Sequence, residues 1–562
     1  GRSQAHRPHV SGICLGTAST SRQGAAMALN PRDALNTSIA DEDSIQPCGA
    51  VDADGNALEM MPCDPPHTWF SCRTFLLYAG PGWLMSLAYL DPGNLESDLQ
   101  NGAYAGYSLV WVLFICTLCG LALQILAARL GTVTGRDLAS TCRMHYSRMT
   151  SRTIWIMTEV AIVGSDIQEV VGTAIAFRVL FGWPLWVGSL VTGVDTFTFL
   201  LMHYFGKRAL EIFIFVLVMV MMCCFFLNFF ILPPPASSVL VGFVPSCPSY
   251  AVVQMVGTVG AVIMPHNIYL HSGLATARGV DRRSQLHVHQ ANKYSMVDSS
   301  FALLMSFFIN AALQTTFANG FFYEPCAMSP GSPLACLRSD AGPPDGCSGA
   351  TCEPCTTASG VNGYCAEIGL ENAGSALAAL FRSHGELGRK VFALGVLAAG
   401  QASTMTGTIA GQYVMEGFLQ WRVSIWVRTL ITRMIALGPA VVVAVLTSSD
   451  PGLNNVVNEW LNILQSVQLP FALLPVLHFN SEAEVMGQRF SLKKRYQLAC
   501  WLLAAVVIIT NVYLVYSRTA DKSLWLKLLV AFLFILYAGF LTVIVQSDLR
   551  KLYTYLKSLF GR

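Results

Sequence analysis

Long apolar runs alternate with short polar segments along most of the chain. Each run holds roughly 20 residues, which is the length that an α-helix needs to cross a bilayer. The pattern therefore predicts an all-α polytopic membrane protein with about twelve transmembrane spans. Their approximate limits are 75–105, 107–129, 153–179, 185–204, 210–232, 252–278, 295–319, 388–415, 427–447, 456–478, 497–517 and 523–546.

Basic residues follow the even-numbered spans, while the odd-numbered loops are poor in Lys and Arg. Cytosolic loops of membrane proteins carry such an excess of positive charge. The pattern therefore predicts that both termini lie in the cytosol. The basic residues are Arg136, Arg143, Arg148 and Arg152 after span two, Lys207 and Arg208 after span four, Arg282, Arg283 and Lys293 after span six, Arg422 after span eight, Lys493, Lys494 and Arg495 after span ten, and Arg550 and Lys551 after span twelve.

Two spans contain residues that a continuous helix does not favour. Asp91, Pro92 and Gly93 interrupt span one, and Pro265 with His266 interrupts span six. Breaks at matching positions of two five-span halves are typical of inverted-repeat transporters of the LeuT type, which bind substrate where the broken helices meet. We predict this fold, with spans eleven and twelve peripheral. The alternative for span one is a plain Asp-Pro-Gly turn between two shorter elements.

Composition agrees with a membrane protein. Hydrophobic residues make up 53% of the chain and charged residues 12%, about half the charged share of a soluble domain. A net charge of +2 without a basic domain gives no support to nucleic-acid binding. The segment 1–67 is rich in Ser, Ala, Asp and Pro, lacks helical periodicity and is predicted to be a disordered cytosolic tail. We assign 68–480 to a transport core, 481–548 to two peripheral spans and 549–562 to a short cytosolic C-terminus.

The long loop after span seven, residues 320–387, is rich in cysteine and is called the cysteine loop below. By the span count it faces the outside or a lumen, where cysteines form disulfides. Six cysteines allow 15 pairings, so the sequence alone does not fix the partners. A zinc site through the Cys352-Glu353-Pro354-Cys355 segment is the alternative. The six residues are Cys326, Cys336, Cys347, Cys352, Cys355 and Cys365.

The two breaks together offer ligands for a metal ion. Asp91 supplies a charged oxygen and Asn94 a neutral one, and an opened helix before Pro265 frees the Ala261 carbonyl. Met264 supplies a thioether. Magnesium and calcium prefer oxygen-only shells, whereas a thioether suits softer transition metals. The mixed set predicts binding of iron(II), manganese, cobalt or cadmium. For Met264 the alternative is ordinary membrane core packing.

Five segments resemble the sequence motifs of the Nramp family, the proton-coupled divalent metal transporters. Asp91–Asn94 and Met264–Asn267 resemble the paired motifs of the broken helices, and the pair is highly specific for the family. Further matches lie at Gly164–Gly172, Gly400–Thr408 and Gln468–Leu473, and the similarity extends from about residue 75 to about residue 479. The twelve predicted spans resemble the animal branch of the family.

The resemblance implies a ligand set that agrees with the one argued from residue chemistry. It assigns metal ligands to Asp91, Asn94, Met264 and the Ala261 carbonyl. It also implies that a polar side chain of span ten reaches the metal in some states. Asn462 matches that position best and Gln465 is the alternative.

Ionisable residues within the membrane are costly and are therefore candidates for proton coupling. Asp166 and Glu169 are three residues apart and share one face of span three. Our hypothesis is that metal binding favours loss of the Asp91 proton, which passes through this pair to the cytosol. The alternative for the pair is a structural ion pair with Arg428 or Arg433 of span nine. The resemblance implies proton roles for Asp91, Asp166, Glu169, His266 and Arg278.

Three other intramembrane groups have simpler interpretations. His271 is predicted to be a packed or hydrogen-bonded histidine, and Glu159 and Asp195 to form buried pairs.

The sequence thus predicts a secondary active transporter, not an enzyme, that couples protons to uptake of divalent transition metals. Its substrates are metal ions and protons, with no permanently bound cofactor, and it is expected to work as a monomer in a plasma, endosomal or vacuolar membrane. No phosphate-binding loop typical of ATP-driven pumps is present. The alternatives are a carrier of the same fold for magnesium or an amino acid, and a metal-sensing receptor. A receptor would be expected to carry a large soluble output domain.

Overall fold

The computed structural model describes residues 60–204, 207–329, 333–338, 353–357, 359–381, 384–420, 425–447, 451–519, 523–546, 548 and 550. The predicted tail up to residue 59, the cysteines at 347 and 352, and residues 551–562 lie outside this set. The side chains of Asp195, Arg428 and Arg433 also lie outside it.

Helices of the described chain correspond to the twelve predicted spans in order. Span one comprises α1 (Cys72–Tyr78), α2 (Pro81–Leu87) and α3 (Pro92–Ala105); span two is α4 (Val110–Thr134), followed by the short α5 (Leu138–His145); span three is α6 (Arg148–Phe181), span four α7 (Leu185–Tyr204) and span five α8 (Lys207–Ile231), followed by α9 (Ala236–Val241). Span six comprises α10 (Val252–Val262) and α11 (Pro265–Thr276), and span seven is α12 (Gln285–Phe321), followed by α13 (Glu324–Ala327) and, beyond the strands described below, α14 (Leu370–Phe381). Span eight is α15 (Gly385–Leu419), span nine α16 (Ile425–Thr447), span ten α17 (Pro451–Gln468) and α18 (Pro470–Ser481), followed by α19 (Ala483–Phe490); spans eleven and twelve are α20 (Lys494–Thr519) and α21 (Leu524–Ile544).

The two predicted breaks are confirmed. Residues 88–91 separate α2 from α3, and residues 263–264 separate α10 from α11. The sequence did not predict two further divisions, one at residues 79–80 between α1 and α2 and one at Leu469 in span ten. Pro470 follows Leu469 directly, and a proline within a helix removes one backbone donor and clashes with the preceding turn.

The interior of the helix assembly is formed by α3, α6, α10, α11 and α15. Helix α6 packs along α15, α3 packs along α12, and α11 packs along α4. Every residue of α3 is buried. The described parts of α20 and α21 instead expose most of their surface, as expected for helices at the periphery of a membrane protein. Among the described residues, eight helices or broken-helix pairs are long and apolar enough to cross a membrane.

The described residues at the end of the predicted tail, from Met60 onward, contact the helices. The backbone N–H of Met61 donates to the carbonyl of Gly279 at 2.8 Å. Asp64 exchanges two hydrogen bonds with the side chain of Gln290, each 2.8 Å long, and accepts a further one from Thr74 in α1 at 2.6 Å. This segment therefore links α1 to the start of α12.

The cysteine loop contains a small antiparallel sheet. Its strands are β1 (Ala335–Arg338), β2 (Pro354–Thr356) and β3 (Asn362–Ala366), with β3 in the centre. Two disulfides hold it together, Cys326–Cys365 and Cys336–Cys355. In the structure Cys355 is thus bonded to Cys336 and is not a free zinc ligand.

The cysteine loop is also bonded to α3. The Tyr104 hydroxyl donates to the Ile368 carbonyl at 2.9 Å and accepts from the Ile368 N–H at 3.0 Å. The Leu370 N–H donates to the Glu96 carboxylate at 2.7 Å. These bonds cap the start of α14 and fix it to span one.

Candidate metal site between the helix breaks

The first break exposes carbonyl groups because Pro92 has no N–H for the carbonyl four residues before it. Asp91 lies at the N-cap position of α3, where its carboxylate accepts from the N–H groups of Gly93 at 3.2 Å and Asn94 at 3.3 Å. The Asp91 side chain is 1% exposed. A carboxylate is therefore held at a buried helix N-terminus, where partial positive charge stabilises an anion.

The second break follows the same chemistry. Pro265 provides no N–H for the Ala261 carbonyl, so this oxygen has no partner within its own helix. Ile263 and Met264 leave the helical conformation, and Met264 occupies the N-cap position of α11. Both Ala261 and Met264 are buried. The backbone oxygen and the thioether thus lie within three residues of one another at the end of α10.

Asn94 connects the two breaks. Its side-chain Nδ2 donates to the Asp91 carboxylate and also to the Ala261 carbonyl, at 2.9 Å for the latter. The Oδ1 of the same amide is buried and has no hydrogen-bond partner among the described residues. Three of the four predicted first ligands therefore meet directly. Two of their oxygens are already bridged by amide hydrogens that a cation could replace.

Gln168 of α6 links this region to span ten, a role that the sequence analysis did not predict. Its Nε2 donates to Asn462 Oδ1 at 2.8 Å, and its Oε1 accepts from Gln465 at 2.7 Å. A β-carbon added at Gly93 would lie 2.9 Å from the same Gln168 Oε1. Both span-ten candidates, Asn462 and Gln465, are thus connected to the first break through one side chain.

Asp166 and Glu169 face helix α15 together. A β-carbon added at Gly407 would lie 2.9 Å from Asp166 Oδ1 and 3.3 Å from Glu169 Oε1. Ser165 donates to the latter oxygen at 3.3 Å. Gly407 therefore provides the space that these two buried carboxylates occupy, and Gln168 lies between the two residues in the same helix.

The remaining proton candidates are not gathered at one place. His266 is buried one residue into α11, and its Nδ1 has no partner among the described residues. Arg278 lies beyond the end of α11 and donates to the Ala79 carbonyl, next to α2, at 3.4 Å. His271 forms a hydrogen bond with Gln124 at 2.9 Å, which confirms its predicted packed role. Glu159 accepts from Trp155 at 2.9 Å.

Two buried polar residues of α3 were missed at the sequence level. Asp98 is completely buried, and neither carboxylate oxygen has a partner among the described residues. Asn101 donates to Thr258 of α10 at 2.8 Å. Each follows a predicted ligand by seven residues, which is two helical turns and therefore the same face. That spacing from Asp91 and Asn94 was the signal that could have identified them.

A small polar cavity lies between α3, α10 and α17. Its lining includes Gln100, Asn101, Gln254, Glu459 and Asn462. Because Asn462 also accepts from Gln168, the cavity borders the network around the first break. It offers carboxylate and amide oxygens, which are the groups that a hydrated divalent cation prefers.

Comparison with known proteins identifies relatives with the same fold. Residues 82–517 match the model of the family described as natural resistance-associated macrophage protein-like, Nramp. A crystal structure of a manganese transporter from Eremococcus coleocola superposes with a TM-score of 0.72 at 27% identity, covering 88% of this chain and 97% of that one.

Sequence relatives cover most of the chain. The metal transporter nramp1 homolog of Dictyostelium discoideum is 42% identical over 475 residues, which are 84% of this chain and 80% of that protein. Natural resistance-associated macrophage protein 2 of Mus musculus is 44% identical over 462 residues, covering 80% and 76% respectively. The broken helices, the polar groups between them and these matches agree, and the chain belongs to the Nramp family of integral membrane metal transporters.

Proposed function

We propose that this protein couples proton movement to the uptake of divalent transition metals toward the cytosol. The observation that carries the proposal is the bridge formed by Asn94 between the Asp91 carboxylate and the Ala261 carbonyl. It brings a charged oxygen and a backbone oxygen from two different spans into one buried pocket. The Eremococcus coleocola relative is a manganese transporter, which supports manganese as one substrate.

On binding, the metal ion would replace the Asn94 amide hydrogens as the partner of the Asp91 and Ala261 oxygens. When a divalent cation takes the Asp91 and Ala261 oxygens, the Asn94 amide rotates so that Oδ1 becomes a ligand. That oxygen has no hydrogen-bond partner among the described residues, so its rotation breaks no bond of its own. Met264 at the adjacent N-cap position adds the thioether that favours softer ions. Asn462 or Gln465 would complete the shell when α17 approaches.

The proposed proton route passes through α6, beside Gln168. A cation beside Asp91 favours the ionised carboxylate, because opposite charge stabilises it. Asp166 and Glu169 of α6 are the proposed acceptors, and both carboxylates lie close to Gly407 of α15. His266 and Arg278 of span six are the remaining members of this proposed route. Transport is by alternating access, in which broken helices move against a scaffold.

The test is manganese uptake by the full chain reconstituted in proteoliposomes with an inward proton gradient. Wild-type protein should take up Mn²⁺ and acidify the lumen, while Asp91→Asn should remain at the background of empty liposomes. Glu386→Gln removes an exposed carboxylate of α15 and should leave uptake unchanged. Uptake by Asp91→Asn at the wild-type rate would contradict the proposed site.

Proton coupling has a separate test. Asp166→Asn and Glu169→Gln should retain Mn²⁺ binding but lose the acid-dependent current. Normal current in both variants would remove span three from the proton route.

A magnesium carrier of the same fold is the competing function, and it would take up Mg²⁺ in the same liposomes at least as well as Mn²⁺. For the membrane orientation, we propose cytosolic termini with the cysteine loop on the opposite side.

A further inference from the structure

A second group of metal-ligating side chains lies away from the helix breaks, where α18 ends and the chain leaves α21. His478 is in the last turn of α18, Glu482 follows that helix, and Asp548 follows α21. His478 Nδ1 is 2.7 Å from Asp548 Oδ2 and 3.8 Å from Glu482 Oε1. The three side chains are only 11%, 17% and 18% exposed, in the order His478, Asp548, Glu482.

These separations suit a single ion. Nitrogen and carboxylate ligands bind Zn²⁺ or a similar cation at about 2.0–2.2 Å, so two ligands of one ion lie about 3.0–3.5 Å apart. The two measured separations bracket that range, and one ligand atom from each of the three residues lies within 4.8 Å of the others. Small side-chain rotations would therefore bring all three onto one cation. Neutral imidazole with two carboxylates carries two negative charges, which matches a divalent ion.

A fourth polar group supports a ligand at this place. The ring of Tyr146, from the segment between α5 and α6, lies against His478 with ring centroids 6.1 Å apart. Its hydroxyl is shielded from solvent and has no hydrogen-bond partner among the described residues. A buried hydroxyl without a partner is costly unless a water or a bound ion satisfies it.

We infer that His478, Glu482 and Asp548 form a second binding site for a divalent transition metal, distinct from the Asp91 pocket. Imidazole with two carboxylates is a ligand set for Mn²⁺, Fe²⁺ or Zn²⁺ and is poor for Ca²⁺. The site connects the last turn of span ten to the end of span twelve. A metal bound there would thus link the peripheral spans to the transport core. Given the orientation in the proposed function, it faces the cytosol, where transported metal arrives.

Occupancy of this site would tie α18 to the segment after α21. Helix α18 also packs against α11, the second half of broken span six. The Phe471 carbonyl in α18 accepts from the Tyr269 hydroxyl of α11 at 2.9 Å. Metal bound at His478 would thus restrain a helix that contacts the second half of span six. We assign the site to feedback by cytosolic metal on the transport cycle.

The test uses Mn²⁺ as the probe and the full chain in detergent micelles or nanodiscs. Asp91→Asn removes the pocket at the helix breaks and should leave Mn²⁺ binding at the second site, seen in the electron paramagnetic resonance spectrum. Adding His478→Gln or Asp548→Asn should weaken that binding by roughly tenfold or more, since even loss of an outer-shell partner costs that much. The signature of an imidazole nitrogen bound to Mn²⁺ should disappear in His478→Gln.

Matched variants keep the result interpretable. Glu484→Gln removes an exposed carboxylate two residues from Glu482 and should bind Mn²⁺ as the parent does. Asp548→Glu, which keeps the carboxylate, should restore most of the binding lost in Asp548→Asn. No Mn²⁺ binding by Asp91→Asn, or unchanged binding after His478→Gln, would overturn the inference and leave an ion pair only. If instead Asp91→Asn transports normally, the proposed transport site fails while the second site stands.

Discussion

Asn94 donates a hydrogen bond to the carbonyl oxygen of Ala261, and this contact crosses from span one to span six at 2.9 Å. Asn94→Ala should therefore raise the KM for Mn²⁺ uptake by about tenfold, which corresponds to about 1.4 kcal/mol, the typical range for one buried hydrogen bond. The control is Ser306→Ala, which removes a buried hydrogen bond from span seven to the Ser86 carbonyl of span one. That variant should lose stability with little change in KM, and an equal rise in both variants would contradict the ligand role.

Met264→Ala tests the contribution of sulfur. Removal of the thioether should lower uptake of Cd²⁺ and Mn²⁺ relative to Ca²⁺, because the remaining oxygen ligands suit harder ions. Metal-by-metal uptake in proteoliposomes measures the selectivity. Met486→Ala removes another buried methionine, in α19, and should leave selectivity unchanged. A selectivity profile in Met264→Ala equal to that of the wild type would indicate that Met264 is only a packing residue.

Gly93→Ala should reduce transport without unfolding the protein. The new methyl carbon would lie 2.9 Å from Gln168 Oε1 and 3.0 Å from Asp91 Oδ2, so both side chains would have to shift. Overpacking of this kind costs about 1–3 kcal/mol, and here the displaced groups belong to the site. Gly539→Ala on the peripheral helix α21 is the matched control, because nothing lies within 4 Å of its added carbon. Mn²⁺ uptake and thermal unfolding of both variants should separate the two effects.

His287, in the first turn of α12 and ahead of the predicted membrane segment 295–319, predicts a pH dependence of stability. Its Nδ1 accepts from the Asp281 N–H at 3.2 Å, and its Nε2 lies 3.1 Å from the Tyr78 hydroxyl. Burial lowers the pKa of His287, against the opposing effect of the Asp281 carboxylate. The folded protein thus binds this proton less readily than the unfolded chain does. Its stabilising effect is complete above the unfolded pKa near 6.5 and is lost as the pH falls through the folded value.

Thermal unfolding of the solubilised protein at about pH 7.5 and about pH 5.5 would measure this effect. The wild-type unfolding temperature should fall more between these two values than that of His287→Gln, which does not titrate. His67→Gln removes an exposed histidine and should behave as the wild type does. A wild-type unfolding temperature that rises on acidification relative to His287→Gln would reverse the sign and refute the assignment.

The sequence predicted the helix breaks because both are marked by proline, whose backbone chemistry acts locally. It also predicted Asp91, Asn94 and Ala261 as partners, since each lies within a few residues of Pro92 or Pro265. The division at Leu469 was missed although Pro470 follows it. Prolines are tolerated in transmembrane helices, and nothing near Leu469 except that proline marked a break.

Contacts between distant segments could not be predicted in the same way. Gln168 lies between Asp166 and Glu169 in the sequence, but its bonds to Asn462 and Gln465 depend on how α6 packs against α17. His478 and Asp548 are separated in the sequence by three helices, α19, α20 and α21. Such pairs have no local pattern, because side-chain positions across helices are determined by tertiary packing. Disulfide partners belong to the same class, since spacing alone allowed 15 pairings.

The bonds from Glu96 and Tyr104 to the cysteine loop have a mechanical consequence. Both residues lie on α3, the helix that begins directly after Asp91 and carries Asn94 in its first turn. A macromolecule that binds the disulfide-bonded sheet from the aqueous side would therefore restrict the movement of α3. It would do so without entering the metal site. An antibody that binds the cysteine loop is therefore expected to slow transport.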